Sequence, residues 1–214
     1  MKQWPVTVAA ALALLLGACR HGGDTGFEFT GTPFAPDTGI AVTGITGSDE
    51  SPRTGWLAVD VSTGTRRAGR TLELPAGLFL LARSSGVQPA VVLVRQTPPV
   101  DSGAGTVLVD CYCCDLDLDV PGTDDSLEFG NVTDNVDLLR IIDIIALKDL
   151  STGHAQDLVQ DAVWKVTEEN VLPDSYVDSL AALPDEPTAG GMPAAGPPGR
   201  GSRQSLKADA RARR

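Results

Sequence analysis

The chain is poor in the residues on which most catalytic and nucleic-acid-binding sites depend. Its 214 residues include two histidines, His21 and His154, and aromatic residues make up only 5%. His21 lies in a loose segment and His154 at a helix start, so neither predicts a Ser-His-Asp arrangement. No glycine-rich loop follows a strand and opens a helix, as a nucleotide site requires. The formal net charge of −11 argues against general nucleic-acid binding. We therefore expect a non-enzymatic protein without a cofactor.

Long apolar runs are also missing, apart from one at the N-terminus. Val6 to Leu16 is an apolar stretch of 11 residues that follows Lys2. A membrane-spanning helix needs roughly 20 apolar residues, whereas the apolar part of a signal peptide has about 7–15, followed by small residues at the cleavage site. Gly17 and Ala18 supply the small residues. Residues 1–18 are therefore predicted to be a signal peptide.

The four residues Leu16-Gly17-Ala18-Cys19 resemble the lipobox of bacterial lipoproteins, in which a specialised peptidase cuts just before the cysteine. The resemblance implies that Cys19 becomes the mature N-terminus and carries a diacylglyceryl group and an N-linked acyl chain such as palmitate. Two or three chains anchor a protein stably in the lipid bilayer. Arg20 stands where an aspartate often retains such proteins in the inner membrane, which favours the outer membrane of the cell envelope. An ordinary secretory signal is the alternative.

Composition divides the mature chain into three segments. Residues 19–53 are rich in Gly, Thr, Asp and Pro with few neighbouring apolar residues, which predicts a disordered tether that lifts the domain off the membrane. Residues 54–184 alternate between apolar runs and turns and are predicted to fold. Residues 185–214 are rich in Pro, Gly, Ala and Arg, which predicts a disordered tail. The basic end of this tail has three candidate partners, namely anionic lipid, a cell-wall polymer and the acidic face of the domain itself, or it has none.

Apolar periodicity predicts an α+β fold for residues 54–184. Five short Val- and Leu-rich segments bounded by turn residues predict a small antiparallel sheet or sandwich: Trp56–Val61, Thr71–Leu74, Gly77–Leu81, Ala90–Val94 and Thr106–Val109. Helical spacing then predicts two or three packed helices, over Asn135–Leu150, over His154–Thr167 and from Pro173. The first helix has a wide apolar stripe, which predicts a largely buried helix capped by Asp134 or Thr133.

The segment Asp110-Cys111-Tyr112-Cys113-Cys114-Asp115 concentrates three of the four cysteines. If it is a strand, Cys111 and Cys113 point to one face and Cys114 to the other. Because disulfides are permitted outside the cytoplasm, we expect one local disulfide and one remaining thiol. A Cu(I) or Zn²⁺ site with His154 or a carboxylate as fourth ligand is an alternative. A redox site is disfavoured because the acidic residues after Cys114 raise a thiol pKa.

Aspartates alternate with apolar residues after the cysteines, a pattern that suggests a calcium-binding site. Counted from Asp115, the sixth and twelfth positions are Val120 and Ser126, where an EF-hand needs glycine and an acid. An EF-hand is therefore excluded, and an irregular site using Asp119, Asp124 and Asp125 stays open.

Gln160-Asp161-Ala162-Val163-Trp164 resembles the Gln-x-Ala-(Ile/Val)-Trp motif of bacterial surface thioester domains. In that family the glutamine carbonyl is bonded to a strand cysteine, and the thioester captures nucleophiles on host surfaces. The resemblance implies a bond from Gln160 to Cys111, with Cys113 as the other candidate cysteine. Val159 departs from the usual Ser or Thr. The alternative is that Gln160 borders the core and Trp164 packs on the sheet.

Together these features predict a membrane-anchored envelope lipoprotein with a non-catalytic binding or structural role. Its expected partners are the bilayer, through acylated Cys19, and a cell-wall polymer or an envelope protein. A covalent adhesin using Cys111 and Gln160 is one alternative. A metal-binding lipoprotein using Cys111, Cys113 and Cys114 is the other.

Overall fold

The computed structural model describes residues 26–65 and 69–187. The predicted signal peptide, Cys19 and the end of the predicted tail, from residue 188, lie outside them. Within this part of the chain there are nine strands and three helices. The strands are β1 (Gly31–Pro33), β2 (Ala41–Gly47), β3 (Leu57–Thr65), β4 (Arg70–Thr71), β5 (Leu78–Ala82), β6 (Ala90–Val92), β7 (Pro99–Val100), β8 (Gly103–Cys113) and β9 (Leu127–Thr133). The helices are α1 (Val136–Ile145), α2 (Gly153–Glu169) and α3 (Asp174–Ala181).

Seven strands form one antiparallel sheet in the order β1-β9-β5-β6-β8-β3-β2, and β4 pairs with β7. The sheet curls, because edge strand β2 returns to the start of β9 through an antiparallel bridge between Thr46 and Ser126. The amide of Gly47 donates to the carbonyl of Gly122 at 3.0 Å. A Cβ at residue 47 would lie 2.1 Å from the Pro121 oxygen, so the close approach that completes the curl requires glycine.

Strand alternation supplies two cores, one on each side of the curled sheet. The inner core is enclosed by the sheet and contains Leu78 and Leu80 of β5 together with Val109, Cys111 and Cys113 of β8. The helix-side core lies under the three helices. Its members on the sheet are Phe79, Val91, Tyr112 and Cys114, and those on the helices include Leu138, Ile141, Val159, Val163 and Leu180. The α+β architecture predicted from the sequence is therefore confirmed, with the helices packed against one face of an antiparallel sheet.

The prediction that residues 19–53 form a tether is wrong for residues 26–53. This segment contributes β1, which pairs with β9, and β2, which pairs with β3. Phe27 is buried in the helix-side core, and Ile40 and Ile45 are buried in the inner core. These apolar residues lie too far apart in the sequence to form a run, but each reaches a core. The folded domain thus includes Gly26 to Gly47.

The helices differ from their predictions in caps and burial. Asn135 caps α1, since its side chain accepts from the amides of Asp137 and Leu138, whereas Asp134 and Thr133 were the predicted caps. Only Leu138, Ile141 and Ile145 of α1 are fully buried, so the prediction of a largely buried helix is also wrong. Thr152 caps α2 by accepting from the Ala155 amide. In the part of the chain that the structure describes, no helix has the length and apolar character needed to cross a bilayer.

Candidate functional site

The cysteine cluster lies at the end of β8, where the sheet meets α2, and Cys114 is the first residue after the strand. Val109, Cys111 and Cys113 point into the inner core, while Tyr112 and Cys114 point to the helix side. This division between faces is the one that the alternation predicts for a strand. The three cysteines lie at the junction because β8 continues beyond the end of its partner β3. Leu57, the first residue of β3, pairs with Cys111, and the last two residues of the strand extend past it.

The side chain of Gln160 in α2 lies beside Cys113, in the place where the backbone of a neighbouring strand would form hydrogen bonds with it. Its side-chain oxygen accepts from the amide of Cys113 at 2.8 Å, and its side-chain nitrogen donates to the carbonyl of Cys113 at 2.8 Å. Gln160 is 0% exposed. A primary amide carries both an acceptor and a donor, so one side chain replaces the backbone of a neighbouring strand. The structure therefore brings the thioester-motif glutamine to the cysteine strand, and its contact is with Cys113 and not with Cys111.

Three other side chains on the same face of α2, spaced four residues apart, also bind this region. Gln156 donates to the carbonyls of Arg53 and Leu150, both at 3.1 Å. Glu168 accepts from the amide of Leu116 at 2.6 Å. Trp164 packs edge-to-face against Trp56 with ring centroids 5.6 Å apart. Besides Gln160, both Gln156 and Glu168 on this face of α2 bind backbone groups. These contacts fix the helix along the end of β8.

The two cysteines of β8 and Cys114, which follows the strand, carry thiols, so the predicted local disulfide is not formed. Cys113 and Cys114 point to opposite faces. Residues two apart in a strand are separated by about 6.6 Å, which is near the upper limit of the Cα spacing across a disulfide. Burial, with the charge of Asp110 second, raises the pKa of Cys111 well above its usual range. Burial, with Asp115 second, raises the pKa of Cys114. These two groups are neutral thiols at physiological pH.

The geometry does not assemble the metal sites considered from the sequence. Among the residues with described positions, no three His, Cys, Asp or Glu side chains are placed to hold a metal ion. Cys114 lies across the sheet from Cys111 and Cys113, and His154 is exposed in the first turn of α2. Of the aspartates considered for calcium, which are Asp119, Asp124 and Asp125, Asp125 accepts through its carboxylate from the Gly122 amide at 2.8 Å.

Other polar side chains of this site carry no local signal in the sequence. Gln96 makes the same two-way contact with the backbone of Asp110, at 2.7 and 3.0 Å. Gln88 accepts from the Asp115 amide at 3.3 Å and donates to the Leu118 carbonyl at 3.4 Å. The Asp110 carboxylate accepts from the amides of Arg53 and Thr54. Each contact joins residues at least 14 positions apart, so only the tertiary structure could reveal it.

Comparison of the chain with models of protein families, with curated proteins and with solved structures finds no match in any of the three.

Proposed function

We propose that the chain is a lipid-anchored protein of the bacterial cell envelope whose domain has a non-catalytic binding or structural role. The observation that carries this proposal is the sequence Leu16-Gly17-Ala18-Cys19 after a short apolar run. The structure adds that Phe27, eight residues after Cys19, is already buried in the domain. A domain with a buried residue this close to the anchor fits a protein that acts at a membrane surface.

The chemistry of the β8–α2 junction supports a non-catalytic role. Two of its polar side chains satisfy backbone groups, as Gln160 does for Cys113 and Glu168 does for Leu116. Nucleophilic cysteines act as thiolates, which a lowered pKa favours. The pKa of Cys111 and that of Cys114 are raised by burial. These two side chains are therefore suited to packing and not to attack on a substrate.

Metabolic labelling with palmitate tests the anchor directly. In a bacterial host that processes lipoproteins, we expect the wild-type protein to carry label and to sediment with membranes. The Cys19→Ser variant is expected to carry none and to accumulate as a precursor. Cys114→Ala is the matched control, because it removes a buried cysteine and leaves the label in place. A Cys19→Ser variant that is labelled as strongly as the wild type would contradict the proposal.

A covalent surface adhesin is the second candidate, favoured by the contact between Gln160 and the cysteine strand. A cysteine thiol would attack the side-chain carbonyl carbon of Gln160. The new S–C bond replaces the C–N bond, and the thiol proton leaves on the nitrogen as ammonia. The two hydrogen bonds of the Gln160 amide are the structural alternative, since they require the amide to be intact. Trp164 lies one turn further along the same face of α2 and would shield such a bond from water.

Intact-protein mass separates the two candidates. A thioester lowers the mass by one ammonia and removes one titratable thiol, whereas the intact amide leaves the mass unchanged. Cys113→Ser and Cys111→Ser, measured separately, identify which cysteine is used. A reduced, non-acylated domain that has its full mass and three titratable thiols, those of Cys111, Cys113 and Cys114, excludes the adhesin.

A further inference from the structure

The outer face of α1 carries apolar side chains that the domain does not cover. Val136 is 76% exposed and Leu139 is 40% exposed. These two residues are three positions apart and therefore lie on one side of the helix. We name Val136 and Leu139 the α1 entry surface. Neighbouring exposed apolar side chains are candidates for protein or membrane contact.

The chain enters the domain at the same end of the sheet. Thr30 donates to the carboxylate of Asp134 at 2.7 Å, and Asp134 lies two residues before Val136. Phe27 packs edge-to-face on Phe29, with ring centroids 5.2 Å apart, and is buried with Leu138 of α1 in the helix-side core. The N-terminal end of the described chain, at Gly26, is thereby held beside the start of α1.

The length of chain before Gly26 limits how far this end can lie from the anchor. Gly26 lies seven positions after Cys19, and a fully extended chain over seven positions spans at most about 25 Å. With Cys19 acylated, the start of α1, which lies beside Gly26, is therefore held near the bilayer. A surface restrained at that distance meets the membrane far more often than it meets a free partner.

We infer that the α1 entry surface rests on the lipid surface in which Cys19 is anchored. This inference rests on the proposed lipid anchor and adds the orientation of the domain. The charges beside the surface specify the lipid, because Asp134, Asp137 and Asp143 are on or next to α1, and Arg140 pairs with Asp174 at 3.8 Å. Carboxylates are repelled by anionic headgroups. The occupant is therefore a zwitterionic lipid surface.

Fluorescence quenching by bromine-labelled lipids tests the orientation. The mature protein, purified from a bacterial host that processes lipoproteins, is reconstituted into phosphatidylcholine vesicles that carry brominated acyl chains, and wild-type emission is subtracted. We expect the tryptophan of Val136→Trp to lose emission in these vesicles. Thr123→Trp is the control for the affinity of tryptophan itself for membranes, because it lies before β9, at the opposite end of that strand from α1. It is expected to keep its emission.

The outcomes separate the anchor from the orientation. Protein that fails to associate with vesicles refutes the anchor. Protein that associates but shows equal emission for Val136→Trp and Thr123→Trp refutes the docking of the α1 entry surface and leaves the anchor intact. Replacing part of the phosphatidylcholine with phosphatidylglycerol is expected to reduce the quenching of Val136→Trp. Increased quenching in the anionic vesicles would contradict the zwitterionic occupant.

Discussion

The side-chain amide of Gln160 binds both backbone groups of Cys113, each at 2.8 Å, in the manner of a neighbouring strand. The contact joins α2 to the end of β8 inside the protein, where water cannot take its place. An amide is the side-chain group that matches an N–H and a C=O at the same time. Gln160 therefore links the helical layer to the sheet at the point where β3 no longer pairs with β8.

Gln160→Leu is expected to destabilise the domain by about 2–5 kcal/mol, because it leaves one donor and one acceptor of Cys113 buried and unsatisfied. Urea denaturation measures the change. Asp157→Ala is the control, since Asp157 is exposed on the same helix and its replacement should change stability by less than about 0.5 kcal/mol. If both variants lower the free energy of unfolding by the same amount, the two hydrogen bonds do not stabilise the fold.

Gln160→Glu is expected to be sensitive to pH. Its protonated carboxyl can still donate to Cys113 and accept from it, whereas the carboxylate can only accept. Burial raises the folded-state pKa of such a carboxyl above the unfolded value. The stability of the variant should therefore be greatest below the unfolded pKa of about 4.3 and should fall as the pH rises toward the folded pKa. Denaturation at pH 4 and at pH 7, each compared with wild type, would show no such difference if the carboxyl were solvated.

Alkaline pH should destabilise the domain through its buried thiols. The pKa of Cys111 and that of Cys114 are raised in the folded protein, so the unfolded chain loses these protons first. Stability should be constant below the unfolded thiol pKa of about 8.5 and should fall above it, by up to about 1.4 kcal/mol per pH unit for each thiol. Cys114→Ala should reduce the dependence of stability on pH, even though the loss of packing also lowers stability at every pH. Parallel pH curves for the variant and the wild type would argue against this account.

Two glycines test the packing at the ends of β3 and α2. A Cβ at Gly55 would lie 2.7 Å from the Cys111 amide nitrogen and 2.8 Å from its carbonyl oxygen, whereas a Cβ at Gly153 meets no atom within 4 Å. Gly55→Ala should therefore destabilise the domain by about 1–3 kcal/mol through overpacking. Gly153→Ala should stabilise it by up to about 1 kcal/mol through the unfolded state. Thermal denaturation of both variants gives the comparison, and a tolerated alanine at residue 55 would mean that β3 and β8 separate easily there.

Periodicity was sufficient to find the elements with strong local patterns. The three helices and the strands around Val59, Phe79, Val91 and Val107 are at the predicted places. Strands β2 and β9 were missed, because glycine, threonine and asparagine interrupt their alternation and their stability comes from pairing with distant residues. The same limit explains the false tether, since Phe27 and Ile45 each pack on residues far away in the sequence.

The candidate site was predictable in its residues but not in its contacts. The spacing of Cys111, Cys113 and Cys114 gave their faces correctly, because alternation is a local property of a strand. The contact between Gln160 and Cys113 spans 47 positions, and no local pattern specifies it. The exposure of Val136 on α1 was also missed, since an apolar stripe does not show which of its members the neighbouring helices cover.

The lipid anchor at Cys19 can be checked by the mass of the mature protein extracted from membranes. We expect a chain that begins at Cys19 and is heavier than its sequence by a diacylglyceryl group and an N-linked acyl chain. After mild alkaline hydrolysis, the mass should fall by the two ester-linked acyl chains. A mature chain that begins elsewhere, or that begins at an unmodified Cys19, would refute the lipid anchor.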